Sequence, residues 1–484
     1  MFIGREIELS YFEDKYNTPG GQLVVLYGRR RIGKTEILHR FSEGKPCVFY
    51  SCRELSDTKQ HSAFMERMIK AGIPTPKYPG TYVDWESSFG SILDLPSNGK
   101  KKLLIIDEFP YMCKGNNSIP SILQILWDES LKNQNVMIVL CGSAMSFIEK
   151  EVLSEKNPLY GRTTGIFKLN DLPYNDAIKF FSDYSDEEKM LTYAVLGGIP
   201  HYLKQFDPTI SLEKNIIKNV LTKGSVLYNE VEFLIRQELR EPAFYNTLIE
   251  AIALGNTQLN DIHMKTQIDK AKISVYLKNL IELQILKRDF SVLSSEKEQA
   301  TSTRGLYRIT DNYFRFWFSF VFANLSDLEN NDAEGVYNYA VLPHLNNFAS
   351  PVFEAVCLEF IRNKNRNGEL PFRIYKSGSW WGKLNKTVKT SEGVTKKISE
   401  ESEIDIVAFD KSSGNYILGE CKFRNSEMDV EIIAQLTEKS SIAKKDATIN
   451  YMLFSKSGFT QKLIDLAKNN NNLKLFSLSD VLKY

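Results

Sequence analysis

Leu23-Val24-Val25-Leu26-Tyr27-Gly28-Arg29-Arg30-Arg31-Ile32-Gly33-Lys34-Thr35 is an apolar strand running into a complete Gly-x-x-x-x-Gly-Lys-Thr loop. That arrangement wraps backbone N–H groups around nucleotide phosphates. Glycine at both ends lets the loop turn through dihedrals that a side chain forbids and brings its backbone close to the phosphate oxygens. The candidate nucleotide-binding residues are therefore Gly28, Arg29, Arg30, Arg31, Ile32, Gly33, Lys34, Thr35 and Glu36. Lys34 is placed to reach the β and γ phosphates and Thr35 to offer its hydroxyl to Mg²⁺, while a helix starting near Lys34 points its positive end at the anion. Arg29, Arg30 and Arg31 occupy variable positions, where solvated loop charge is the alternative reading.

Working outward, Leu103-Leu104-Ile105-Ile106 reads as a parallel strand buried on both faces and ends in Asp107-Glu108. Asp107 is placed to hold Mg²⁺, and Glu108 to orient or deprotonate the attacking water. The next apolar strand, Val136 to Leu140, leads to Cys141-Gly142-Ser143. Ser143 is either a sensor of the terminal phosphate or the cap of a following helix. Arg162, beyond the turn Asn157 to Gly161, is either a finger on the transferring phosphoryl group or half of a structural ion pair. No Asn-Lys-x-Asp base-reading segment follows the second acidic strand, which favours ATP over GTP.

With 484 residues, the chain exceeds a single core, and about three or four domains are expected. Its 61 basic and 60 acidic residues nearly cancel, so attraction to nucleic acid or membrane has to be local. Six dispersed cysteines and five dispersed histidines suggest neither a disulfide framework nor a zinc site, and fit a reducing cytoplasm. No apolar run has export or membrane-spanning character; Phe314 to Phe322, interrupted by Arg315, reads as a buried aromatic helix.

Five segments in order carry a family resemblance: Phe2-Ile3-Gly4-Arg5-Glu6-Ile7-Glu8-Leu9, the Gly28 to Thr35 loop, Ile106-Asp107-Glu108, Pro158-Leu159-Tyr160-Gly161-Arg162 and Gly197-Gly198-Ile199-Pro200. Over roughly the first half of the chain they resemble archaeal-type ATPases of the AAA/STAND group. The resemblance implies a five-stranded parallel sheet, a helical lid over Asn170 to about Glu230, and packing of the Gly-Arg-Glu segment and Pro200 near adenine. Tyr307 to Trp317 resembles an interdomain segment of the same family.

From about Glu241 to Tyr307 the pattern is helix, short helix, longer helix, then two strands around a polar stretch, Ser291 to Arg304. Ile273, Leu277, Leu280 and Ile281 share one helical face and leave Lys270, Lys272, Ser274 and Lys278 largely on others. This is a winged-helix pattern, which serves either DNA binding or interdomain packing.

Glu403-Ile404-Asp405 and Gly419-Glu420-Cys421-Lys422 read as consecutive strands joined by the turn-prone stretch Asp410 to Asn415. Glu420 and Lys422 share a strand face, and Asp405 can lie beside them. Two carboxylates there would share a divalent metal, with Lys422 positioning water against a phosphodiester. The Asp and Glu-x-Lys set, the Gly378-Ser379-Trp380-Trp381-Gly382 element and a preceding helix resemble the restriction-endonuclease-like, PD-(D/E)XK, domain. By that resemblance Glu354 is a further metal-binding candidate, and Gln435 faces the site. The lysine-bearing stretch Lys383 to Lys397 reads as a mobile loop.

The expected architecture is α/β: a P-loop ATPase core over 1–168, a helical lid over 169–235, a winged helix over 236–322, a helical connector over 323–350 and a nuclease-like domain over 351–484. The expected function is ATP-binding and ATP-hydrolysing action on DNA, with nucleotide state controlling the nuclease-like domain, ATP and Mg²⁺ as cofactors, homo-oligomerisation open and no membrane partner. The alternative is a nucleotide-controlled switch or scaffold whose inactive C-terminal domain binds a protein.

Overall fold

The computed structural model describes residues 2–74, 84–302, 305–389 and 395–483. Five parallel strands form the N-terminal sheet: β1 Gln22–Tyr27, β2 Cys47–Ser51, β3 Lys102–Asp107, β4 Val136–Gly142 and β5 Gly165–Lys168, in the order β2-β3-β4-β1-β5. Strands β1 and β4 are buried along their whole length, as continuous Val, Ile and Leu runs require when helices cover both sheet faces. The helix Lys34–Ser42 begins at the phosphate loop and turns Ile37, Leu38 and Phe41 inward.

Two compact units result. One comprises residues 1–172 with 199–201, and the other 173–198 with 202–484. The helix Asp186–Leu196, expected in the lid, thus belongs to the C-terminal unit; a reciprocal capping box between Ser185 and Glu188 starts it.

In the second unit the helices Pro242–Ala253, Leu259–Thr266 and Lys270–Glu282 precede an antiparallel pair, β6 Leu286–Asp289 and β7 Leu306–Ile309. Helix Lys270–Glu282 buries Ile273, Tyr276, Leu277 and Leu280 and exposes Lys270, Lys272, Ser274 and Lys278. The stretch between the strands is not a bare polar tip. Val292 is buried, its N–H donates to Ser379 O at 2.9 Å, and Lys376 Nζ donates to Ser294 O at 2.9 Å. A helix, Glu296–Thr301, follows. A buried apolar side chain and two bonds to one strand outweigh the polarity of this stretch; Thr303 and Arg304 lie outside the described residues.

The aromatic segment is buried as expected: Tyr313, Phe314, Phe316, Trp317 and Phe318 are all enclosed. Tyr313 Oη donates to Leu227 O at 2.6 Å and Trp317 Nε1 to Tyr228 O at 2.7 Å, so both polar tips are satisfied.

A mixed sheet closes the chain: β8 Lys376–Lys389, β9 Thr395–Phe409, β10 Asn415–Lys422, β11 Thr448–Ser455 and β12 Leu473–Ser477, ordered β12-β11-β10-β9-β8. Strands β8 to β10 are antiparallel neighbours, and β10 to β12 are parallel. The long helix Leu345–Arg366 buries Phe353, Val356, Cys357, Phe360 and Ile361 at one-face spacing and packs on this sheet. Lys383 to Lys389 and Thr395 to Lys397 are not loop but the paired ends of β8 and β9, with Lys389 opposite Thr395. Cross-strand pairing overrides the small polar composition there. Residues 390–394, and the side chains of Lys386, Lys389, Lys396 and Lys397, lie outside the described residues. No described helix is long and apolar enough to cross a membrane.

Candidate functional site

The phosphate loop is shaped by crowding around its first glycine. A Cβ on Gly28 would come within 2.5 Å of Leu169 O and 2.6 Å of Ile32 Cδ1. Gly33 adopts φ +92° and hands the chain to the helix Lys34–Ser42. Lys34 Nζ donates to Gly28 O at 2.9 Å and Arg29 O at 2.7 Å, curling the ammonium into its own loop. Burial lowers its pKa, opposed by Cys141, Glu108 and Asp107.

Adjacent strands bring the acidic pair to this loop. Thr35 Oγ1 donates to Asp107 Oδ2 at 2.8 Å, which places two hard oxygen donors side by side at the strand end, a donor set suited to Mg²⁺. Glu108 has left-handed backbone, φ 52°, and its N–H donates to Asp107 Oδ1 at 3.0 Å. Ser143, at the end of β4, donates through Oγ to Glu108 Oε2 at 2.9 Å. It does not cap a helix: Ala144 occupies the N-cap of the helical turn that follows.

Arg162 stands elsewhere. Its Nε and Nη2 approach Asp128 Oδ2 at 2.9 and 2.8 Å, and its Nη1 donates to Pro158 O at 2.9 Å. The structural ion pair, not the finger, describes its present position, because a nearby carboxylate and carbonyl satisfy the guanidinium locally. Pro200 belongs to the same compact unit as the loop, and its Cγ lies 4.0 Å from where a Cβ on Gly33 would sit. In the Gly-Arg-Glu segment, Arg5 Nη2 donates to Ile32 O at 3.1 Å and its Nη1 pairs with Glu8 at 2.8 Å, bracing the loop. The opening Gly-Arg-Glu motif was its visible signal. Glu36 is exposed on the first helical turn. Arg29, Arg30 and Arg31 are half-buried.

The second constellation lies on the C-terminal sheet. The register pairing Gly419 with Ile406 carries Asp405 beside Glu420 at the next step. Asp405 Oδ2 accepts the Cys421 N–H at 2.8 Å, and Lys422 Nζ pairs with Glu420 Oε1 at 2.5 Å, as their shared strand face requires. Glu354 joins from the helix Leu345–Arg366. Burial raises its pKa, and the charge of Asp405 raises it further. Asp405 is raised by burial and then by Glu420. For Lys422, burial pulls downward, but Glu420 and Asp405 outweigh it and the pKa is raised. Among the described residues no three His, Cys, Asp or Glu side chains form a ready metal cage. The oxygen donors and the suppressed ionisation of Glu354 and Asp405 nevertheless suit a divalent cation that supplies the missing positive charge. Gln435 is exposed on the helix Glu431–Lys439.

Three charged groups near these carboxylates were missed by sequence reasoning. Glu403 and Arg308 both act on the ionisation of Glu354. Arg315, whose pKa burial lowers to about 10, donates to Phe348 O at 2.7 Å and stacks 4.0 Å from that ring. Arg308 and Arg315 sit in or beside the aromatic segment that reads as structural, and no local pattern distinguishes them.

Residues 2–206 match the family described as an ATPase domain predominantly from Archaea, and residues 317–433 match archaeal and bacterial proteins of unknown function. An uncharacterized protein of Methanocaldococcus jannaschii is 31% identical over 483 residues, covering 99% of this chain and 100% of the relative. An uncharacterized ATP-binding protein of the same organism is 47% identical over 45 residues, 9% of this chain and 76% of the relative. Among solved structures, the Walker-type ATPase of Pyrococcus abyssi matches with TM-score 0.50 and 19% identity, covering 66% of this chain and 96% of that one. At that identity the likeness concerns the fold.

Proposed function

The chain belongs to the family that joins an ATPase domain predominantly from Archaea to a domain of archaeal and bacterial proteins of unknown function, and from that premise we propose that it binds and hydrolyses ATP with Mg²⁺ and that nucleotide state controls nuclease-like action on DNA. The observation that carries the first half is the bond from Thr35 to Asp107 at 2.8 Å beside Glu108 and Ser143. Backbone N–H groups from Gly28 to Thr35 cradle the phosphates, Lys34 turns from its carbonyls to the β and γ oxygens, and Pro200 with the Gly4-Arg5-Glu6 segment borders the base. Thr35 and Asp107 would hold Mg²⁺, which supplies charge neutralisation at the transferring phosphoryl group. Glu108 accepts the proton of the attacking water, and Ser143 fixes which way its carboxylate points.

In the C-terminal domain, Asp405, Glu420 and Glu354 would hold a divalent cation that polarises a phosphodiester, and Lys422 orients the attacking water. Coupling runs through helix Asp186–Leu196, which packs against helix Leu345–Arg366, the element that carries Glu354. Displacing the first helix therefore moves a carboxylate of the second site. The anchoring of Val292 and Ser294 on β8 favours a packing role for the winged-helix module over entry into a groove.

The test uses the full chain. Calorimetry with ATP and Mg²⁺ should give one site, abolished in Lys34→Ala; absence of uptake by folded wild type refutes the ATPase reading. Plasmid nicking with Mg²⁺ or Mn²⁺ and ATP should disappear in Lys422→Ala. If wild type neither nicks nor binds DNA, the scaffold with an inactive C-terminal domain is the correct reading.

A further inference from the structure

Acidic cleavage sites repel the phosphate backbone they act on, so some cation must meet the strand at their edge. In this molecule two nearby cations are already engaged: Lys422 is tied to Glu420 at 2.5 Å, and Arg315 is held by Phe348 O. Arg308 differs. It projects from β7 with 38% of its side chain exposed, and its ion pair with Asp289 is long, 3.7 Å, to a carboxylate that Lys287 approaches more closely, at 2.9 Å. Its guanidinium carbon lies 5.8 Å from the centroid of the Trp381 ring, near the outer limit of a cation–π contact.

Trp381 lies on β8 next to this cation. The register shift between Gly378 and Trp380 turns Trp380 into the apolar core with Ile404 and leaves Trp381 opposite Glu403, on the other sheet face. Glu403 is two residues from Asp405, and both, with Arg308, act electrostatically on Glu354. A half-buried indole opposite Glu403 and a guanidinium within electrostatic reach of Glu354 therefore lie together on the Glu403 face of the sheet.

We propose that Arg308 and Trp381 form the strand-binding edge of this site and that its ligand is a single-stranded nucleic acid, one base stacking on Trp381 while Arg308 turns to the adjoining phosphate. A duplex keeps its bases stacked on one another and has none to give the indole, whereas an unpaired strand presents them. The inference rests on the nuclease-like reading of Glu354, Asp405, Glu420 and Lys422, and it assigns the cation to β7, outside the segment that carries those four residues.

The experiment measures binding of fluorescein-labelled single-stranded DNA, single-stranded RNA of the same sequence and the DNA duplex to the full chain in EDTA, where no cleavage intervenes. Wild type should bind the single strands more tightly than the duplex, and the DNA and RNA arms decide which sugar is preferred. Trp381→Ala should weaken single-strand binding about tenfold, while Trp381→Phe retains most of it. Arg308→Ala should reduce the slope of log affinity against log salt by about 0.7, a change that Arg308→Lys largely restores. Unchanged ATP uptake and circular dichroism verify folding of each variant. Wild-type affinities and salt slopes in Arg308→Ala and Trp381→Ala, or a preference for duplex, overturn the inference while leaving the nuclease-like reading standing. Absence of both nucleic-acid binding and Mn²⁺-dependent cleavage in wild type overturns the two together.

Discussion

Glu108 carries two constraints at once, a left-handed backbone at φ 52° and the Ser143 hydroxyl 2.9 Å from its Oε2. A hydrogen bond to a carboxylate restricts its direction. Ser143→Ala should therefore leave the base unaimed, and ATP turnover without any other ligand should fall by up to about tenfold, the worth of one charge-assisted bond. A steady-state phosphate-release assay reads this, and an unchanged or higher rate would show that Ser143 does not position Glu108. Arg162 makes the complementary point. With its guanidinium satisfied by Asp128 and Pro158 O, Arg162→Lys should cost stability more than ATP affinity, because lysine cannot reproduce the fork of donors. Thermal melting compared with nucleotide titration separates these effects.

At the scale of the element, the junction of β1 with the phosphate loop has almost no slack. Gly28→Ala forces a methyl against Leu169 O and Ile32, so the loop or the segment after β5 has to shift, and stability should fall by roughly 1–3 kcal/mol in denaturant titration with ATP binding lost. The helix Leu345–Arg366 poses the opposite problem, since its packing carries Glu354 into a buried place beside Asp405. A carboxyl whose native pKa is raised binds more protons folded than unfolded, so stability falls as pH rises from the ordinary carboxylate range through the raised value. Metal-free wild type should accordingly lose melting temperature as pH climbs through that window. Glu354→Gln should flatten the decline, and an equally steep decline in the variant would locate the penalty elsewhere.

Across the whole molecule, the helix Asp186–Leu196 shares a compact unit with the C-terminal sheet. Lys456, with only 4% of its side chain exposed, links them by pairing with Glu187 at 2.5 Å and donating to Asn425 Oδ1 at 2.7 Å and Asn346 Oδ1 at 3.1 Å. Lys456→Met should cost roughly 1–3 kcal/mol through the lost bonds and raise amide exchange in Asp186–Leu196 and Leu345–Arg366 together. Exchange confined to one helix would show that the two are not coupled. The phosphate loop, the strands β1, β3 and β4, and the sharing of one face by Glu420 and Lys422 were all decided within the sequence, because each depends on residues a few positions apart and on the periodicity of one element. What Ser143 and Arg162 bind, the anchoring of Val292, the extension of β8 and β9 through a polar stretch, and the place of Arg308 beside Trp381 were decided only by the fold. Each depends on partners tens of residues away, brought near by burial and strand pairing that no local pattern records.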